Sequence, residues 1–285
     1  MRYEAPSTLE NAVALLAGES GSAHVLAGGT DLLVGMKSGF TEPDLIVDIK
    51  RIDGMHTVTQ EDGGWRIGAA VPGIQLGEHD GVKADWPGVV EALELIGSTQ
   101  IQGRATMAGN LCNASPAADS VPAMVAADAT VRIAGPNGSR DIPVIEVATG
   151  PGQTSLAKGE IVESIFLPAR PVRSGDAYLR FIPRTEMDIA VVGCGVSLTL
   201  DEGGTCTAAC VALGAVAATV LLVEDAARVL IGTAVDDAAL DALAAACSAA
   251  AKPIDDKRGT VAFRKKVSGV LARRAAKIAL ERAKG

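Results

Sequence analysis

The run Val25-Leu26-Ala27 stops at two adjacent glycines, Gly28 and Gly29, and Thr30-Asp31 then open a second apolar run through Leu32 and Leu33. Strand character that ends on such a pair must give way to a turn, because glycine takes φ > 0 without a steric cost. Lacking side chains, the pair also lets backbone N–H groups approach an anion closely, and Thr30 can cap whatever helix follows. The outline is that of a phosphate cradle. Gly-Gly between apolar segments is more often an ordinary turn, so this stretch does not settle the matter alone.

A second stretch changes the balance. Thr106-Met107-Ala108-Gly109-Asn110-Leu111-Cys112-Asn113-Ala114-Ser115-Pro116-Ala117-Ala118-Asp119-Ser120-Val121-Pro122 again gathers a hydroxyl, small residues, Gly and Asn, and adds an Asp and a Ser-Pro turn. Two such loops, far apart in sequence, can clamp one extended ligand from both sides. A dinucleotide with its pyrophosphate has the length to need that.

Composition removes several classes. The 285 residues are 48% hydrophobic, enough for a substantial core in one large domain or two to three sub-domains. A formal net charge of −8 argues against nucleic acid or an anionic membrane surface as the main partner. With 3% aromatic residues, the core must be built from small aliphatics. No apolar stretch reaches transmembrane length and Met1–Pro6 lacks an apolar signal core, so the expected location is cytoplasmic. The five cysteines are odd in number and form no CxxC pair, which argues against disulfides. With His24, His56 and His79 scattered as well, no protein-ligated metal is expected. Cys206 and Cys210, four apart in a strand-like run, should share one face and fill core.

Periodicity gives the element order. Ser7-Thr8-Leu9-Glu10 is a capping box, and Leu9, Val13 and Leu16 recur at helical spacing until Gly18. A strand at His24–Ala27, a short helix over Leu32–Lys37 stopped by Gly39, and a buried strand at Leu45–Ile49 complete a βαβ-like unit. From Met55 to about Ala70 the pattern is short strands and turns, and Gly88–Ile96 reads as a helix. Pro122–Ala127 is a helical turn, Pro136-Asn137-Gly138 joins a hairpin, and Ile161–Leu167 alternates as a strand. Pro168–Gly175 looks like a linker. Beyond it come three antiparallel strands, Ala177–Ile182, Val191–Leu200 and Thr205–Leu213, then helices at Glu224–Leu230, Asp237–Ala251 and Val261 onward.

With both loops in place the sequence resembles the FAD-binding medium subunit of the molybdenum hydroxylases, the family of xanthine dehydrogenase, aerobic carbon monoxide dehydrogenase and 4-hydroxybenzoyl-CoA reductase. Six ordered motifs carry the resemblance across nearly the whole chain. They are the opening Tyr3–Pro6, the loop Ala27–Asp31, Leu45–Ile49, the loop Thr106–Asp119, Arg184…Asp188-Ile189-Ala190, and the closing Pro253-Ile254-Asp255-Asp256…Arg258-Gly259-Thr260…Phe263-Arg264…Leu271…Arg273-Arg274. The implied fold is α+β, a PCMH-type two-part flavin domain followed by a C-terminal three-stranded sheet with a helical bundle. Its implied parts are residues 1–54, 55–170 and 176–285, with FAD extended between the first two.

The resemblance implies that Leu26, Ala27, Gly28, Gly29, Thr30, Asp31 and Leu32 wrap the pyrophosphate from the N-terminal side, and Thr106, Ala108, Gly109 and Asn110 from the middle part. Asp119 matches a position that bonds the flavin's ribityl or ribose portion, although it could instead cap the helix near Val121, and Asn110 could be only a left-handed turn residue. Ile96 and Val162 match positions near the flavin and are as readily core residues. Arg180 matches a basic position that can approach the flavin, yet a strand arginine in a surface salt bridge is the commoner case. Ala108 departs from the Gly found in many members, and Thr219–Leu222 replaces a Pro-containing segment.

The activity implied is that of an oxidoreductase subunit for electron exit. It has no catalytic side chain of its own; it takes electrons from [2Fe-2S] clusters on a small partner subunit, downstream of a molybdopterin cofactor on a large one, in a heterotrimer that can dimerise. The alternative is a stand-alone FAD-dependent oxidoreductase of the same superfamily, which would often tether flavin through a His or Cys in the first loop; Gly28-Gly29-Thr30 offers neither. A nicotinamide-binding fold would show GxGxxG after the first strand, and neither loop has it. A scaffolding subunit with a vestigial cleft is disfavoured by the intact loops.

Overall fold

The computed structural model describes residues 1–285. Its first layer is a three-stranded parallel sheet in which Leu45–Asp48 lies between Arg2–Glu4 and Ala23–Leu26. The central strand is buried along its whole length, as a parallel strand covered on both faces must be, and its sequence is accordingly an apolar run. The helix Leu9–Gly18 connects the outer strands; Thr8 accepts the N–H of Asn11 at 3.3 Å, and Ala12, Val13 and Leu16 turn inward. The strand Arg2–Glu4 is too short to carry a periodic signal and went unread in the sequence.

The middle layer is a five-stranded antiparallel sheet in the order Val58–Glu61, Gly64–Gly68, Ile161–Leu167, Thr130–Gly135, Gly138–Pro143. Its first hairpin closes through Asp62 (φ 49°) and Gly63 (φ 75°), two left-handed residues that suit the twist of the flanking strands. Helices cover the sheet, including Gly73–Gly77 and Asp80–Asp85, which sequence periodicity did not resolve because each is at most six residues long. One continuous core of 42 buried residues runs from Ala12 to Leu167 and takes in Tyr178, Ala212 and Val220 from later strands.

After residue 170 the chain forms an antiparallel meander, Ser174–Phe181, Val192–Leu200 and Cys206–Gly214, with a two-residue fourth strand at Leu221–Leu222. One face packs against the helices Glu224–Leu230, Asp237–Ala250 and Val261–Lys284 in a second core of 27 residues. Arg264 crosses that core, donating to the Val191 and Ala215 carbonyls and to Asp256. The opposite face receives the helix Ser120–Ala126 from the middle layer. Gly195 makes this possible, since a Cβ there would come within 2.4 Å of the Pro122 carbonyl oxygen. Ser197 and Cys210 donate to the Ala126 and Val125 carbonyls from the same face.

The expectation that Cys206 and Cys210 share a face is incorrect. The ladder pairs Thr199 with Ala208 but Leu200 with Cys206, so Thr207 is an extra residue and the alternation reverses across it. Cys206 therefore belongs to the helical core, while Cys210 faces the Ser120–Ala126 helix. No helix is long and apolar enough to cross a membrane.

Candidate functional site

A cleft of about 780 Å³ opens between the first two layers, within the range of small-molecule sites, and both glycine loops line it. Ala27, Gly28, Gly29, Thr30, Asp31 and Leu32 form one wall. Thr106, Ala108, Gly109 and Asn110 form another, with Ile96 and Val162 also in the lining. The loops touch. A Cβ on Gly28 would overlap the carbonyl oxygen of Arg104, just before the second loop, so only glycine permits this approach.

The first loop turns at Gly29, whose φ is +78°. Leu26 lies buried outside the lining and props the turn from beneath: a Cβ on Gly29 would meet its Cδ1 at 2.8 Å. No backbone N–H from Ala27 to Leu32 donates to any group of the chain. The helix Leu32–Lys37 that follows has Asp31 as its N-terminal boundary residue without a side-chain cap, and Thr30 does not cap it either. The expected cap is thus absent, and the Thr30 hydroxyl stays free beside a row of six unspent donors. Asp31 is exposed as a residue, but partial desolvation still pushes its carboxyl upward.

The second loop is held by its own side chains. Thr106 caps the helix Met107–Cys112 by accepting the Gly109 N–H at 2.9 Å; the Met107 N–H faces the Val71 carbonyl across the Pro72–Thr106 bridge, and the N–H groups of Thr106 and Ala108 have no partner in the chain. Ala108 sits in that helix with negative φ, so replacing glycine there leaves its N–H available. Asn110 is helical rather than left-handed; its Oδ1 accepts from the Ser120 N–H (3.2 Å) and hydroxyl (2.7 Å), tying the loop to the Ser120–Ala126 helix.

Asp119 and Arg180 lie outside the lining and answer each other. Asp119 is buried; it accepts from Arg180 at 2.7 Å and from the Tyr178 hydroxyl at 2.9 Å, and it makes no helix-capping bond. Desolvation raises its pKa against the opposing pull of Arg180 and Tyr178. Arg180 forms the salt bridge expected of a strand arginine, but a buried one, joining the second loop's support to the C-terminal sheet.

Sequence reasoning missed two parts of the cleft. Ser20, Gly21, His24 and Thr41 also line it, and the segment Gly152–Glu160 supplies a further stretch of wall through Gly152, Thr154 and Leu156–Glu160. The left-handed Gly152 (φ 68°) and Gly159 (φ 84°), bracketing a short polar stretch, were the available signal for that wall. Cys112 also lines the cleft, its thiol pushed up to about 12 by burial and so protonated.

A diphosphate fits this arrangement. Unpartnered N–H groups on facing walls suit an anion that accepts many hydrogen bonds, and the apolar lining near Ile96 and Val162 suits an aromatic ring.

Comparison with known proteins agrees. Residues 1–170 match the family described as the FAD binding domain in molybdopterin dehydrogenase, and residues 177–279 match the CO dehydrogenase flavoprotein C-terminal domain. The carbon monoxide dehydrogenase medium chain of Afipia carboxidovorans is 34% identical over 282 residues, covering 99% of this chain and 97% of that one. The putative xanthine dehydrogenase FAD-binding subunit of Escherichia coli (strain K12) is 36% identical over 203 residues, 70% of this chain and 69% of its own. The structure of carbon monoxide dehydrogenase from Hydrogenophaga pseudoflava superposes with a TM-score of 0.94 at 33% identity, covering 99% of this chain and 98% of that chain. The chain belongs to the FAD-binding medium subunits of the molybdenum hydroxylase family, and is an oxidoreductase subunit whose cofactor is FAD.

Proposed function

We propose that this chain is the FAD-binding subunit of a heterotrimeric molybdenum-dependent dehydrogenase. It takes electrons from the [2Fe-2S] centres of a small partner subunit and passes them to an external acceptor, while a large molybdopterin-binding subunit holds the substrate site. The assembly is a cytoplasmic dimer of heterotrimers. The observation that carries the reading is the contact of the two loops at Gly28 and Arg104, with unspent backbone donors on both sides of one cleft.

The bound FAD supplies the exchange between single-electron and paired-electron transfer; the protein supplies position and electrostatics. In this reading the N–H groups of Ala27–Leu32 and the Thr30 hydroxyl hold the diphosphate from one side. Those of Thr106 and Ala108 hold it from the other, with Gly109 and Asn110 fixing that wall. Ile96 and Val162 pack against the ring and keep water from it. Asp119 and Arg180, neutralising each other behind the second loop, keep that wall in place.

The test is to purify the chain with its co-purifying neighbours, record the absorption spectrum and identify released cofactor. Stoichiometric FAD and two partner proteins of the stated kinds are expected. A flavin-free intact complex would contradict the reading.

A further inference from the structure

The Gly152–Glu160 wall presents one charged side chain that the flavin reading leaves without a task. Lys158 is the only lysine or arginine in the cleft lining, and it forms neither a hydrogen bond nor an ion pair. Of the three carboxylates in the lining, Glu19 is answered by Arg2 at 2.6 Å and Glu160 by Arg140 at 2.8 Å, while Asp31, on the first loop, has no partner.

Its backbone is nonetheless fixed. The Ala157 N–H donates to the Glu160 carboxylate at 2.8 Å, and the Glu160 N–H returns a bond to the Ala157 carbonyl at 2.9 Å, closing a tight turn around Lys158. Gly159 (φ +84°) packs against the Leu9–Gly18 helix so closely that a Cβ there would stand 2.8 Å from that of Ala17. An exposed lysine is ordinarily a solvated surface group. This one is carried on an anchored turn at the wall of a cleft whose other donors are neutral dipoles.

We infer that Lys158 is the counter-cation for the phosphate-bearing half of the bound dinucleotide, and that it favours flavins carrying phosphate over neutral ones. This rests on the flavin reading above. Backbone N–H groups orient a diphosphate but bring no net charge, and the anion must enter a chain of net charge −8. An ammonium carried on an anchored turn in the lining of the cleft offsets that repulsion, and does so most strongly at low ionic strength.

The experiment strips flavin from the full chain and titrates FAD, ADP and riboflavin onto wild type, K158E, K158Q and K158R, at about 20 mM and about 300 mM salt. At low salt K158Q is expected to bind FAD and ADP about fivefold more weakly and K158E about tenfold or more, with the gap narrowing at high salt. K158R should restore binding, and riboflavin affinity should be the same in all four proteins. Unchanged FAD and ADP binding by K158E and K158Q would overturn the role of Lys158, as would an equal loss for riboflavin. Failure of the wild type to bind FAD would overturn the flavin reading itself.

Discussion

Between Ala27 and Leu32 the chain spends none of its N–H groups on itself, whereas between Thr106 and Asn110 the side chains are committed to the fold. The first loop is shaped by what glycine allows: a left-handed turn at Gly29 and an approach at Gly28 that no Cβ tolerates. The second is shaped by what its neighbours impose, through the Thr106 cap, the Asn110–Ser120 bonds and, behind them, the buried Asp119–Arg180 pair. One wall is a row of donors with no side chain holding it; the other offers fewer free donors, at Thr106 and Ala108, on a backbone that its own side chains already fix. A two-walled site of this kind concentrates ligand dependence in the first loop and scaffold dependence in the second.

Breaking the second wall's support should produce the largest loss of stability. R180A leaves the Asp119 carboxylate buried without its cation, at an expected cost of about 3–5 kcal/mol in chemical denaturation. The loss should shrink at acid pH. Asp119 already has a folded pKa above its unfolded value, and losing Arg180 raises it further. Its neutral form is tolerated below that pKa, and stability is lost as pH rises through it.

Breaking the first wall should instead act on the ligand. G28A forces the loop away from the Arg104 carbonyl and is expected to weaken FAD binding by about 100-fold or more in a fluorescence titration, with a smaller change in melting temperature. Equal damage to binding and stability by both variants would erase the contrast between the loops.

The smallest effect falls on Asp31, an unpartnered carboxylate beside the free donors. Partial desolvation raises the folded pKa of this otherwise exposed residue, so a small stability tied to its protonated form is present at acid pH and lost as pH rises through that pKa. As the same carboxylate gains charge beside a diphosphate, FAD affinity should fall, and D31N should flatten that slope and tighten binding about two- to threefold above it.

The contrast also explains what the sequence disclosed. A loop defined by glycine φ and close approach leaves its mark in local residue types, so the turn at Gly29 and the close approach at Gly28 were legible in the sequence. Features fixed by tertiary packing left little trace. Asp119 and Arg180 were each read separately as ligand candidates, with helix capping and a surface salt bridge as the alternatives, because a pair 61 residues apart has no local signature. Cys206 and Cys210 were assigned to one shared face because the extra residue in the ladder, which reverses the alternation between them, leaves no mark in the sequence. The Gly152–Glu160 wall contributes chiefly backbone position and one lysine, neither of which forms a motif.

The most direct measurement is hydrogen exchange of the backbone amides in the two loops, with and without FAD. The amides of Ala27–Leu32 should exchange rapidly in the flavin-free chain and become strongly protected on FAD binding, while those of Gly109 and Asn110, already bonded within the chain, should change little. Protection of Ala27–Leu32 that is already present without FAD, or that does not increase with it, would contradict the account.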